Sequence, residues 1–222
     1  MTPEEYAKSI ITISKEKLAT LPSAEYKGEI FIVDNEEKLE EAIKELRASS
    51  IIGFDTETRP SFRKGQTYQV SLIQMATPSK CFLIRTNLLG YPESLINILE
   101  DPEILKVGLS IHDDFHNLRK VTDVEQQGFI DLQQFVKNYK ISDNSLSRIY
   151  GILFGERISK GQRLSNWEAP ELSEAQQNYA SLDAFACIKI YEYLKGGNFV
   201  PKESEYIILP EEHEAEEEKK SE

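Results

Sequence analysis

The sequence predicts an α/β layered domain, and three observations carry that expectation. Short apolar, β-branched runs crowd the first half of the chain, at Glu29–Val33 and at residues 51–54, 69–76 and 80–85. Segments of helical periodicity lie between and after them, ending in a long one over residues 173–194. The length of 222 residues, 40% hydrophobic and 29% charged, suits one domain with extensions better than two full domains.

Taken in order, Thr2 with Glu5 three positions later and Pro3 between them is a capped helix start. That helix is expected to run to about Ala19, before Leu21-Pro22, as a surface appendage. The strand Glu29–Val33 follows, and Asp34 caps a helix whose Leu39, Ala42, Ile43 and Leu46 form one apolar stripe. Residues 51–54 read as a buried strand, 69–76 and 80–85 as two more. A strand at 105–107 leads into a helix over 111–121, and helices follow at 132–138, 145–154 and 173–194. There is no internal repeat. The expected organisation is a helical extension (1–27), a main domain (28–198) and a tail (199–222) too acidic to bury apolar surface, hence disordered.

Charge narrows the function classes. The net charge of −12 argues against a general nucleic-acid coat or a membrane-surface binder. From Lys202 onward there are nine Glu against three Lys, so half of that charge sits in the tail and the body is only mildly acidic. Cys81 and Cys187 lie in apolar runs and lack metal-ligand spacing, as reduced core thiols do. An acidic start without an apolar run predicts no signal peptide, and no stretch approaches the roughly 18 apolar residues of a membrane span. The expectation is a soluble, cytoplasmic protein with no membrane partner.

Three clues bear on chemistry. Asp55-Thr56-Glu57 follows the apolar strand, and strand alternation points Asp55 and Glu57 to one side, where two carboxylates can bind a hard cation or merely end a strand. On the helix from Ile111, residues Ile111, Asp114, Phe115 and Leu118 share a face; Asp114 turns inward and Asp113 outward. An inward carboxylate needs a metal, a salt bridge or a capping role. On the last helix Tyr179 and Asp183 are one turn apart on the apolar stripe, a spacing equally open to a core Tyr–Asp hydrogen bond. Together the clues supply four carboxylates. Four converging negative charges call for cations, and two divalent ions balance them in a site suited to in-line displacement at phosphorus.

The order and context of these segments resemble the DEDD 3′–5′ exonucleases, in the tyrosine subclass of RNase D and the Werner syndrome exonuclease domain. The matching runs are Gly53-Phe54-Asp55-Thr56-Glu57, then Val107 through Leu118 around Asp114. The third is Leu164-Ser165-Asn166-Trp167 with Leu172 through Ala184 around Tyr179 and Asp183. Val70-Ser71-Leu72-Ile73-Gln74 supports the match, which covers about residues 28–195. The resemblance implies an RNase H-like fold, a mixed β-sheet flanked by helices, with the site at the sheet edge. It implies that Asp55, Glu57, Asp114 and Asp183 hold two Mg²⁺ or Mn²⁺ ions while Tyr179 orients the attacking water. The histidine subclass would place His where this chain has Asn178. The implied partner is a DNA or RNA strand with a free 3′ end, shortened by one 5′-monophosphate at a time, with no obligate protein partner.

The chain departs from the family at Ala169-Pro170-Glu171-Leu172, where relatives read Arg-Pro-Leu, and no HRDC or helicase segment lies within these residues. Two basic clusters are candidates for phosphate contact: Arg59, Arg63 and Lys64, and Arg157, Lys160 and Arg163. Trp167, flanked by Leu164 and Pro170, is expected to be a structural anchor. His112 and His116 lack the further ligands of a zinc site, His213 being in the tail. Two other readings compete: a catalytically weak binding or scaffold protein of the same fold, and a nuclease confined to very short oligonucleotides. Dependence of activity on substrate length separates the last from the rest.

Overall fold

In the computed structural model, which describes residues 1–63 and 65–209, the chain begins α1 (Pro3–Lys8), β1 (Ile10–Ile11), α2 (Lys15–Thr20), β2 (Glu29–Val33) and α3 (Glu36–Ala48). Next come β3 (Ile52–Thr58), β4 (Val70–Ala76), β5 (Lys80–Ile84), α4 (Thr86–Leu89), α5 (Glu93–Leu99), β6 (Lys106–Gly108) and α6 (Ile111–Leu118). The remainder is β7 (Phe129–Asp131), α7 (Leu132–Phe135), α8 (Leu146–Phe154), α9 (Glu174–Lys195) and β8 (Ile207–Ile208).

Six strands form one mixed sheet in the order β2-β5-β4-β3-β6-β7. The β3–β4–β5 meander is antiparallel, and β2 and β6–β7 add to its two sides in parallel. Both faces are covered, so alternate residues of β4 enter different cores. Leu72 and Ala76 pack toward α8 and α9, Ile73 and Met75 toward α3, α5 and α6. Every residue of β4 is therefore buried, and its sequence is apolar on both faces except at Ser71 and Gln74. Among the described residues no helix is long and apolar enough to cross a membrane.

The expected strands and principal helices are present with shifted ends, but several expectations need correction. The helix over residues 2–19 is two short helices with a strand between them. The Thr2–Glu5 capping box forms, yet Ser9 is extended and the β-branched run from Ile10 to Ile13 pairs elsewhere, Ile10 and Ile11 with Ile208 and Ile207. The segment is no appendage either. Ile11 and Ile13 are fully buried, and Asp143 accepts hydrogen bonds from Ile13 N (3.0 Å) and Thr12 Oγ1 (2.9 Å). The tail expected from residue 199 is likewise ordered through its first part, with a 3₁₀ turn at Pro201–Glu203 and then β8. Its acidic remainder, 210–222, lies outside the described residues.

Asn35, not Asp34, caps α3, because its Oδ1 accepts from Lys38 N (3.0 Å) while Asp34 pairs with the Lys38 ammonium. The Asp-x-Glu lies within β3 rather than after it. Three short elements, α4, α5 and β7, are additional to those expected; α4 and β7 are too brief to show a repeat, whereas α5 carries the short apolar stripe Leu95, Ile98 and Leu99.

Candidate active site

Asp55 and Glu57 stand on the face of β3 turned toward α9, as strand alternation requires. Gly53 sets how near α9 can come. A Cβ there would collide with the carbonyl oxygen of Ala184. Only glycine admits the helix to this depth, and the same approach brings Asp183 against Asp55.

α9 itself begins with a reciprocal cap. Ser173 Oγ accepts from Gln176 N (3.2 Å), and Gln176 Oε1 accepts from Ser173 N (3.0 Å). The Gln176 amide also donates to Ser165 Oγ (2.9 Å) and Asn166 O (3.1 Å), tying the preceding loop to the helix. Tyr179 and Asp183 then project from one face. Trp167 is fully buried and its ring lies 6.1 Å from that of Tyr179, the anchoring role expected of it.

The carboxylates of Asp55, Glu57 and Asp183 come within 4.8 Å of one another. Asp114 approaches from the edge of β3, where the pairing with β6 stops at Gly53, and its Oδ1 accepts a hydrogen bond from Thr56 Oγ1. It is half-buried, as its helical phase predicts, while Asp113 is exposed. It stands apart from the tight trio but close enough for its charge to act on Glu57.

One residue that aims Asp114 was not anticipated. Asp131, at the end of β7, accepts from Ser110 N (3.2 Å), Ile111 N (3.0 Å) and Gln133 N (2.8 Å). Ser110 has a left-handed backbone and provides no cap of its own, so one carboxylate caps both α6 and α7. Its only signal in the sequence is an Asp between Phe129-Ile130 and a helical run.

Burial, and then mutual repulsion, hold these carboxyls above the ordinary range. Asp55 is raised by burial and by Asp183, Glu57 by burial and by Asp55, Asp183 and Asp114. Asp114 is raised by burial and Asp55, against the Thr56 hydrogen bond. Asp183 is raised by burial, against its hydrogen bond with Tyr179 and the charge of Lys160. Burial and the nearby carboxylates push the Tyr179 hydroxyl further up still.

Lys160 and Arg163 line the pocket of about 170 Å³ that holds Asp55, Tyr179 and Asp183. Arg59 and Arg63 instead line a neighbouring groove with Leu164 and Asn166, and Arg59 is engaged by Glu168 (3.0 Å). Lys64 lies outside the described residues. The Arg157 N donates to Pro22 O (2.8 Å) and its Nε to Leu21 O (3.1 Å), fastening the N-terminal segment. Both cysteines are buried free thiols, and burial pushes the Cys81 thiol up to about 12.

The donor set suits a hard divalent cation. It is all oxygen, closely spaced, and faced among the described residues by two basic side chains, Lys160 and Arg163, so its negative charge is under-compensated.

Comparison with known proteins agrees with this architecture. A family model described as 3′–5′ exonuclease matches residues 30–196, and the chain belongs to that family. The bifunctional 3′–5′ exonuclease/ATP-dependent helicase WRN of Mus musculus is 31% identical over 156 residues, covering 67% of this chain and 11% of the mouse protein. A 3′–5′ exonuclease of Arabidopsis thaliana is 33% identical over 154 residues, 66% of this chain and 53% of its own length. The chain thus spans about half or less of these relatives. Among solved structures, the Nibbler EXO domain of Aedes aegypti superposes with a TM-score of 0.72 at 22% identity, covering 82% of this chain and 97% of that one. RNase D of Escherichia coli gives 0.64 at 24% identity, covering 74% and 44%. The fold is RNase H-like, as the resemblance implied.

Proposed function

We propose that this protein is a metal-dependent 3′–5′ exonuclease that hydrolyses the terminal phosphodiester of a DNA or RNA strand and releases nucleoside 5′-monophosphates. The observation that carries the reading is the convergence of Asp55, Glu57 and Asp183 within 4.8 Å, with Asp114 and Tyr179 beside them, in a chain of the 3′–5′ exonuclease family. Asp55, Glu57, Asp114 and Asp183 would hold two divalent cations, Mg²⁺ or Mn²⁺. Such ions supply positive charge to the cluster and electrophilic stabilisation of phosphoryl oxygens.

A 5′-monophosphate product requires that a water oxygen join phosphorus and that the P–O3′ bond break. Tyr179 keeps its proton at neutral pH, because burial and its acidic neighbours disfavour the phenolate. It therefore orients the attacking water by hydrogen bonding and does not take a proton from it. Lys160 and Arg163, on the rim of the same pocket, bind the non-bridging oxygens of the phosphate.

The test is a gel assay with 5′-labelled single-stranded DNA and RNA oligomers in Mg²⁺, Mn²⁺ or EDTA, with Asp55→Ala alongside. The expected result is a metal-dependent ladder shortening from the 3′ end and absent in the variant. Full activity in purified Asp55→Ala, or no product from either polymer at any length, overturns the reading. Activity confined to the shortest oligomers would identify the oligonucleotide-clearing variant of the same chemistry.

A further inference from the structure

Each of three carboxylates has a side-chain donor or cation facing it: Thr56 for Asp114, Tyr179 and Lys160 for Asp183, and Arg163 for Glu57. Among the described residues Asp55 has none, only the backbone of Thr56. Directly opposite Asp55 in the β3–β4 ladder stands Gln74. Gln74 is fully buried, yet neither its Oε1 nor its Nε2 has a hydrogen-bond partner among the described residues.

The two facts fit each other. Residues directly opposite in an antiparallel pair point to the same face, their Cβ atoms roughly 5 Å apart. Leu72 and Ala76, which flank Gln74 on its own face, belong to the core beneath α9, so the Gln74 amide and the Asp55 carboxylate occupy the same layer. A leucine or methionine would fill this position with no unpaired polar atom, and a buried amide without a partner is destabilising. An amide kept there has a use the packing does not explain.

We propose that Gln74 is a positioning residue for Asp55: its Nε2 donates to the carboxylate through one buried water and fixes the rotamer in which Asp55 would meet the cations. This rests on the metal-site reading above. Carboxylates that ligate metals are typically themselves hydrogen-bonded, and removing such a partner lowers metal affinity by about 10–100-fold.

The experiment is calorimetric titration of Mn²⁺ into the full chain, for the wild type, Gln74→Met and Asp55→Asn, with the metal-free melting temperature of each. Gln74→Met should bind Mn²⁺ at least about tenfold more weakly, with a metal-free melting temperature equal to or above that of the wild type. A purely structural residue would show the reverse pattern, a lower melting temperature and unchanged affinity, and that result overturns the proposal. If Asp55→Asn binds Mn²⁺ like the wild type, the metal-site reading itself fails, whatever Gln74 does. Should Gln74→Met not fold, the wild type still decides. Its Gln74 side-chain NH₂ resonances, assigned by contacts to Leu72 and Ala76, should move on Mg²⁺ titration, and invariant resonances overturn the proposal.

Discussion

Tyr179 and Asp113 test the site one side chain at a time. Tyr179→Phe removes the hydroxyl proposed to orient the attacking water while keeping the ring that packs on Trp167. It should slow turnover by about 100-fold or more, a usual cost for a positioned catalytic group, with Mn²⁺ affinity nearly unchanged. Asp113→Ala should leave turnover within about twofold, because that side chain is exposed beside His112 and turned away from the cluster. A large loss in Asp113→Ala with a silent Asp114→Ala would reverse the assignment made from helix phase.

The clustered carboxyls predict a pH dependence. Glu57, Asp114 and Asp183 are held above the ordinary carboxyl range by burial first and by neighbouring charge where that adds to it. Without cations the folded chain therefore keeps protons that the unfolded chain has released above about pH 4. Their contribution to stability is complete below that pH and is lost as pH rises through the raised values, toward and past neutrality. In EDTA the melting temperature should fall between about pH 5 and pH 8, Asp183→Asn should flatten the fall, and Mn²⁺ should reverse it at the upper end. A melting temperature that rises across this range in EDTA contradicts the electrostatic account.

At the scale of elements, the site depends on how closely α9 lies against β3 and on how α6 is started. Gly53 governs the first. Gly53→Ala forces the helix backbone off the strand, because the obstructing atom is the Ala184 carbonyl and not the end of a flexible side chain. The expected outcome is a destabilisation of about 1–3 kcal/mol together with a marked loss of Mn²⁺ binding, since Asp183 moves with its helix. Chemical denaturation and metal titration measure the two effects, and retention of full metal affinity would show that the close approach is not what sets the trio. Asp131 governs the second, capping α6 and α7 at once from the end of β7.

For the whole molecule, the N-terminal and C-terminal segments close on each other over the body. β1 pairs with β8, Ile11 also bridges to Ile141, and Arg157 fastens residues 21–24 near the loop that carries Lys160 and Arg163. Ile13, fully buried, should therefore behave as a core residue: Ile13→Ala is expected to cost about 2–5 kcal/mol. Leu88→Ala, at an exposed position, should cost little. Equal small effects in denaturant melts would restore the view of the N-terminus as a detachable extension.

Local periodicity accounts for most of what could be read from the chain alone. Alternation along β3 put Asp55 and Glu57 on one side, helical phase separated Asp114 from Asp113, and the i, i+4 spacing joined Tyr179 to Asp183. Each of these is a property of neighbours in sequence, so each was available before any fold. Gly53, Asp131, Arg157 and Gln74 are different, because their partners lie 131, 21, 136 and 19 residues away. The fate of the N-terminal isoleucines belongs with them: the run at residues 10–13 became a buried strand because Ile207 and Ile208 supply its ladder from the far end of the described chain. A side chain's periodicity states which way it faces, but only the packing of distant segments supplies what it meets there.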